Sequence, residues 1–251
     1  MGKITVIGIG PGNLMDMTPR ARQAIEEAAV IAGYNTYIKL IEPLLGERKV
    51  IGTAMMQEID RCRMAVSEAV QGHDTVVVSS GDAGVYGMAG LVLELVLQQP
   101  QEKRPEFGGV IAGVSAVNAA ASVLGAPLMH DFAVISLSDL LTPWETIEKR
   151  IEMAAQGDFV TALYNPKSKK RVENIEQVRK IMLKYRKADT PVGIVTAASR
   201  DGEGKIISTL ADFTKQEINM FSLVIIGNSM TYVKDGYMIT PRGYGNKEPG
   251  L

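Results

Sequence analysis

The stretch Val76-Val77-Val78-Ser79-Ser80-Gly81-Asp82-Ala83-Gly84-Val85-Tyr86-Gly87-Met88-Ala89-Gly90 runs an apolar strand pattern into four glycines and sets one carboxylate among them. Glycine has no Cβ, so backbone amides and carbonyls there can come close to a ligand. Asp82 stands where the carboxyl end of a parallel strand opens into a crevice, the place where open α/β sheets bind ligands. The loop has no lysine and no GK[ST], so it is ill suited to a polyphosphate. An acidic and otherwise apolar loop suits an amino group or a sulfonium. The plain alternative is a tight strand-to-helix turn with no ligand.

Two further turns at strand ends carry special residues. Gly113-Val114-Ser115-Ala116 opens a helix of small side chains, which permits close approach of a flat ligand or simply close packing. Tyr164-Asn165-Pro166 ends another strand and is followed by Lys167-Ser168-Lys169-Lys170-Arg171. Special turns in both halves predict one ligand lying between two domains. Cations at the start of a helix oppose its dipole, so this run is read either as a solvated helix start or as a contact for a polyanionic partner. His130-Asp131 at the entrance to a strand could act as acid or base near neutral pH, or could be a hydrogen-bonded structural pair. His73 falls in a surface turn, and Cys62 on an apolar helix face behaves as a small hydrophobe. Gly8-Ile9-Gly10-Pro11-Gly12 invites a dinucleotide reading and fails it. Asn13 replaces the third glycine, the helix starts only near Thr18, and no acid ends the second strand. No HExxH, GxSxG or metal-ligand cluster is present in the sequence, so no metal is expected.

These residues must be held by a framework that the composition supports. At 251 residues, 46% apolar and 22% charged, the chain is of globular type with room for one large or two ordinary domains. A net charge of −1 argues against a nucleic-acid partner, and one cysteine excludes an internal disulfide. No apolar run approaches the ~20 residues of a membrane span, and no leader pattern precedes the first strand, so a cytoplasmic protein is expected. In the first half, strands at 3–9, 30–33 and 74–80 alternate with helices at 18–29, 35–44, 57–71 and 87–98, reading as a parallel sheet with helices on its faces. Ile59, Cys62, Val66, Ala69 and Val70 share the apolar face of the third helix. In the second half, strands are predicted at 132–137, 159–164, 191–196, 205–210, 223–226, 230–233 and 237–240. Thr142-Pro143-Trp144-Glu145 reads as a capping box for a helix to Ala155, and a further helix is predicted over 171–187. Strands without intervening helices imply a mixed sheet. The expected organisation is therefore an α/β chain of two domains, 1–114 and 115–251.

Taken in order, Gly8-Ile9-Gly10-Pro11-Gly12, Ser79-Gly81-Asp82-Ala83-Gly84, Gly113-Val114-Ser115-Ala116, Leu163-Tyr164-Asn165 and Pro191-Val192-Gly193-Ile194-Val195 resemble the tetrapyrrole (corrin/porphyrin) methylase family along nearly the whole chain. Gly33-Tyr34-Asn35-Thr36-Tyr37, the block from Gly81 to Gly90, and Pro127-Leu128-Met129-His130-Asp131-Phe132 running on to Trp144 resemble one branch, the C17-methyltransferases of cobalamin biosynthesis. The resemblance implies two α/β domains with S-adenosylmethionine in the cleft between them, and a homodimer. It implies cofactor contacts at Pro11, Gly81, Asp82, Ala83, Tyr86, Ser115, Ala116, Asn165 and Ala198, the last from the family alone. The implied substrate is precorrin-3B or cobalt-precorrin-3 (cobalt-factor III). Carbon C17 takes the methyl, the ring contracts with C20 pushed out, and a lactone forms with the ring-A acetate. Asp82, His130 and Asp131 are the candidates for proton management, and Lys167, Lys169, Lys170 and Arg171 for the peripheral carboxylates. The rival readings are a methylase of this fold acting at another ring position, a diphthine-synthase-like protein methylase, and a non-catalytic nucleotide-binding module.

Overall fold

A computed structural model describes residues 1–168, 171–244 and 247, and divides the chain into two compact units, Met1–Ala116 and Val117–Leu251. The first unit alternates β1 (Lys3–Gly8), α1 (Pro19–Glu27), β2 (Val30–Tyr34), α2 (Asn35–Leu40), α3 (Glu42–Leu45), β3 (Lys49–Thr53), α4 (Glu58–Val70), β4 (Thr75–Ser79), α5 (Ala89–Leu97) and β5 (Glu106–Ile111). Its five strands are all parallel, in the order β3-β2-β4-β1-β5. β1 and β4 are apolar on both faces because helices cover both sides, as parallel sheets require. Ile4 and Val6 pack with α4 and α5, whereas Ile7 and Ile9 pack with α1. The path leaves β1 toward β2 and β3 on one side, then returns to place β4 and β5 on either side of β1. The direction of winding therefore reverses at β1, where ligands bind in such sheets.

Local chemistry explains the element boundaries. Thr18 caps α1 as expected, its Oγ1 accepting the Ala21 N–H at 3.2 Å, with Pro19 in the first turn. Along α4, Cys62, Ala65, Val66 and Ala69 fall three and four residues apart and are buried. Ile59, expected on the same face, is 53% exposed and lies in the first turn of the helix. Burial pushes the Cys62 thiol up to about 11, against a smaller opposing pull from Arg61. β3 is an addition to the expected pattern: only Thr53 of its five residues is buried, so no apolar alternation marks it.

The second unit contains α6 (Ala116–Leu124), which begins at the last residue of the first, then β6 (Gly125–Ala126), β7 (Phe132–Ser136), α7 (Trp144–Gln156), β8 (Val160–Tyr164), α8 (Asn174–Met182), β9 (Pro191–Thr196), β10 (Gly204–Thr209), β11 (Ser222–Ile226), β12 (Tyr232–Lys234) and β13 (Tyr237–Ile239). Its main sheet is mixed, in the order β10-β9-β11-β8-β7, and a small sheet joins β12, β13 and β6. β7 is parallel to β8, while β8 and β9 both run antiparallel to β11. The carboxyl ends of β7, β8 and β9 therefore point the same way. Ile147, Ile151, Leu163, Val178, Met182, Ile194 and Phe213 form the core beneath. Arg186 is buried in this unit, donating to the carbonyls of Ala154, Phe159 and Gly227. Burial lowers its pKa, against the charge of Asp158.

Two helix starts differ from expectation. Thr142 does not cap α7: the Pro143 carbonyl accepts the Thr146 and Ile147 N–H groups, so the helix opens one residue later and Thr142 lies outside it. The helix expected from Arg171 begins at Asn174, with Glu173 as its cap residue and Glu176 in its first turn. Those acids agree with the helix dipole, and Lys167 and Arg171 precede the helix rather than lying in its first turn.

Candidate functional site

In the first unit, three strand ends close on one another through their backbones. Gly10 N–H donates to Gly81 O at 3.1 Å and Gly81 N–H donates to Gly10 O at 2.7 Å, an isolated bridge between the turns after β1 and β4. Asp82 ties in the turn after β5, its Oδ1 accepting Gly84 N–H at 2.8 Å and its Oδ2 accepting Gly113 N–H at 3.0 Å. A Cβ on Gly8 would lie 2.5 Å from Gly81 O, and one on Gly113 would lie 2.3 Å from the same oxygen. Neither distance is tolerable against fixed backbone, so glycine is the residue that lets these turns meet. Gly81 itself has φ +69, and a Cβ there would be 3.4 Å from Ala116 N.

The structure thus gathers Gly81, Asp82, Ser115 and Ala116 around one junction, with Pro11 in the turn beside it. Ala83 is fully buried and packs in the core, so only its backbone is available to a ligand. Tyr86 is 54% exposed and holds a left-handed φ of +53 in the same loop, the kind of strained residue found at ligand sites. The junction has no lysine or arginine of its own, and each Asp82 oxygen keeps acceptor capacity beyond its one backbone bond. The arrangement is a negatively charged cradle of backbone groups, fit for a cationic ligand that lies against peptide units.

In the second unit the corresponding edge is tied by side chains. Asn165, at the end of β8 with φ +51, donates from Nδ2 to Ser136 Oγ at 2.9 Å, joining the ends of β8 and β7. Thr196 Oγ1 and Ser222 Oγ share a hydrogen bond of 2.8 Å at the end of β9. Ala198 lies between Ala197 and Ser199, which have φ +52 and +60. Three non-glycine residues in the left-handed region within two turns mark this edge as strained. Asn165 is legible in the sequence as a turn residue. Ser136, Thr196 and Ser222 escape a reading by residue type, although the Ser136-Leu137-Ser138-Asp139 sequence at a strand end is a polar signal for a turn.

The remaining candidates are not all brought to these edges. Lys167 is partly exposed next to Asn165, and Lys169 and Lys170 lie outside the described residues. Arg171 is turned inward. Its Nη1 lies 3.4 Å from Asp139 Oδ1, its Nη2 donates to Asn165 O at 3.4 Å, and its side chain is 13% exposed. It braces the turn rather than standing free for an anion. His130 and Asp131 precede β7, and the Asp131 carbonyl accepts the Val160 N–H at the start of β8. They therefore lie at the opposite end of the sheet from Asn165, about 16 Å along the strands. His130 Nδ1 accepts the Asp131 backbone N–H at 2.9 Å, so in the neutral ring that nitrogen has no proton to pass to the Asp131 carboxylate. Among the described residues no group of three His, Cys, Asp or Glu side chains could hold a metal ion, and no helix is long and apolar enough to cross a membrane.

The chain is similar to known proteins over most of its length. The family model for Tetrapyrrole (Corrin/Porphyrin) Methylases matches residues 3–214. A cobalt-factor III methyltransferase of Priestia megaterium is 52% identical over 98% of this chain, which spans 46% of that relative's length. A probable cobalt-factor III C(17)-methyltransferase of Salmonella typhimurium is 50% identical over 96% of this chain and 99% of its own. The crystal structure of the methyltransferase CobJ superposes with a TM-score of 0.90 and 36% identity, covering 96% of this chain and all of that one.

Proposed function

The chain belongs to the tetrapyrrole (corrin/porphyrin) methylase family, and from that membership we propose that it transfers a methyl group from S-adenosylmethionine to C17 of a cobalt-factor III or precorrin-3B macrocycle in cobalamin biosynthesis. The observation that carries the reading is the glycine junction with Asp82 across it. A Cβ at Gly8 or Gly113 would fill the space between the turns, and the one charge there is negative. Bound S-adenosylmethionine would supply a methyl group activated by a sulfonium.

The chain's own contribution follows from the junction. Backbone groups of Gly81 and Ala83 and the side chain of Tyr86 would hold the donor, Pro11, Ser115 and Ala116 would border it, and Asn165 and Ala198 would make further contacts. Asp82 holds the turn rigid and would offer a negative charge to a cationic donor. Attack by an electron-rich ring carbon needs alignment and exclusion of water more than acid or base, and alignment alone is worth several kcal/mol. Ring contraction does need proton transfer. Asp82 is better placed for it than His130 or Asp131, which lie beyond the far end of β7 and β8. Lys167, with Lys169 and Lys170 of the same run, is assigned to the peripheral carboxylates, and Arg171 to positioning that run. The protein acts in the cytoplasm as a homodimer on this reading.

Anaerobic incubation of the protein with S-adenosylmethionine and cobalt-factor III, followed by mass and absorbance, tests the proposal. Gain of one methyl with the spectral change of ring contraction is the expected result. Absence of methyl transfer to both cobalt-factor III and precorrin-3B would remove the C17 assignment. Failure to bind S-adenosylmethionine would remove the methylase reading as well.

A further inference from the structure

The stretch from Ser136 to Trp144 is unusual in sequence, and its two central leucines have no role in the site described above. Leu140 is 68% exposed and Leu141 98% exposed, although Leu137 just before them is fully buried. The loop is anchored on both sides of the pair. Ser138 N–H donates to Ser136 Oγ at 3.2 Å, Asp139 meets Arg171, and the Trp144 indole N–H donates to Gln177 on α8. A loop held at both ends does not expose two adjacent leucines through slackness; it presents them. The loop springs from the same edge as Asn165, whose Nδ2 bonds the Ser136 hydroxyl at its root, and Asp139, next to the pair, meets Arg171 of the segment that begins with the partly exposed Lys167.

We propose that Leu140 and Leu141 bear against the flat face of the tetrapyrrole ring, while Lys167 meets one of the carboxylates on its rim. The inference rests on the reading that the substrate is a tetrapyrrole, and it names the segment of the chain that recognises the ring. A ligand with an apolar face and an acidic edge matches two exposed leucines on an edge that also carries Lys167, two residues after Asn165. A second copy of the chain fits less well, since two side chains supply a small fraction of the ~800 Å² per partner that stable interfaces bury. Each leucine gains from leaving water on contact with the ring and gains nothing before it, so the pair contributes to substrate affinity alone.

The test compares the wild-type protein with Leu140→Ser/Leu141→Ser and Leu140→Met/Leu141→Met, using cobalt-factor III as the ligand in absorbance titrations and steady-state assays. The serine variant is expected to raise Kd and KM for cobalt-factor III about tenfold or more. Its kcat, S-adenosylmethionine affinity, Tm and sedimentation should stay at wild-type values, and the methionine variant should restore substrate affinity. A serine variant that binds cobalt-factor III as the wild type does overturns the inference and leaves the methylase reading standing. A changed sedimentation coefficient overturns it in favour of a contact between copies. Failure of the wild type itself to bind cobalt-factor III removes both the inference and the reading beneath it.

Discussion

Two strand-end edges, one in each unit, solve the same problem with different materials. At the first, turns after β1, β4 and β5 are locked by backbone groups, glycines and the two oxygens of Asp82. At the second, turns after β7, β8 and β9 are locked by side chains, through Asn165 to Ser136, Thr196 to Ser222 and Arg171 to Asp139. A backbone lock leaves little that substitution can adjust, because any added Cβ strikes a peptide unit. A side-chain lock can change partners while the strands stay in place. On the proposed reading the first edge makes the fixed contacts of the methyl donor and the second the adjustable ones.

The strongest way to break this comparison is at Gly113. Gly113→Ala puts a methyl 2.3 Å from Gly81 O and must drive the adjoining turns apart. Calorimetric titration should then show S-adenosylmethionine affinity down about a hundredfold, the scale of a 1 Å misplacement. Asp82→Asn comes next, since one of the two N–H groups loses its acceptor and the negative charge goes. A hydrogen bond to a charged group is worth about 1.5–3 kcal/mol, so the same titration should read a loss of about tenfold or more. At the second edge, Asn165→Ala removes the bond to Ser136 and leaves alanine at φ +51. A fall of about fivefold in S-adenosylmethionine affinity is expected, smaller than at the first edge. An equal loss of donor affinity in Asn165→Ala would erase the distinction between the edges.

Two smaller effects sharpen the contrast by lying outside both edges. Lys49, at 2.6 Å, and then His73, at 2.9 Å, hold the Glu68 carboxylate below the ordinary range. A depressed carboxylate stabilises the fold above its unfolded pKa, and that stability is lost as pH falls through the folded value. Glu68→Gln should therefore lower stability at neutral pH by under about 1 kcal/mol, and thermal melts should show the gap closing on acidification. His130→Ala should leave kcat at the wild-type value, because the ring lies at the far end of β7. A large loss of ring-contracted product in that variant would return His130 to the mechanism.

The junction was legible because it is written in residue types: four glycines around one acid admit few structures. Its wiring was not, since Gly113 lies 31 residues beyond Asp82 and nothing local shows that they meet. β3 escaped because its exposed residues carry no alternation, and the start of α8 was misplaced because Arg171 turns inward to Asp139 instead of opening a helix. The Thr142 box failed for a related reason, with Pro143 taking the cap position itself. His130-Asp131 shows the limit most clearly: two suitable side chains in sequence, delivered by the topology to the end of the sheet opposite Asn165.

The bridge between Gly10 and Gly81 also bears on how the protein is made. Its two halves come from the first and fourth strands, and β2, α4 and everything else between them must be accounted for before they meet. Asp82 then waits for Gly113, the last turn of the first unit. Contacts of such long sequence separation close late and slowly. A growing chain would therefore acquire most of its helices before it could hold a donor, and the appearance of S-adenosylmethionine affinity during refolding would report completion of the first unit, trailing the recovery of helical circular dichroism.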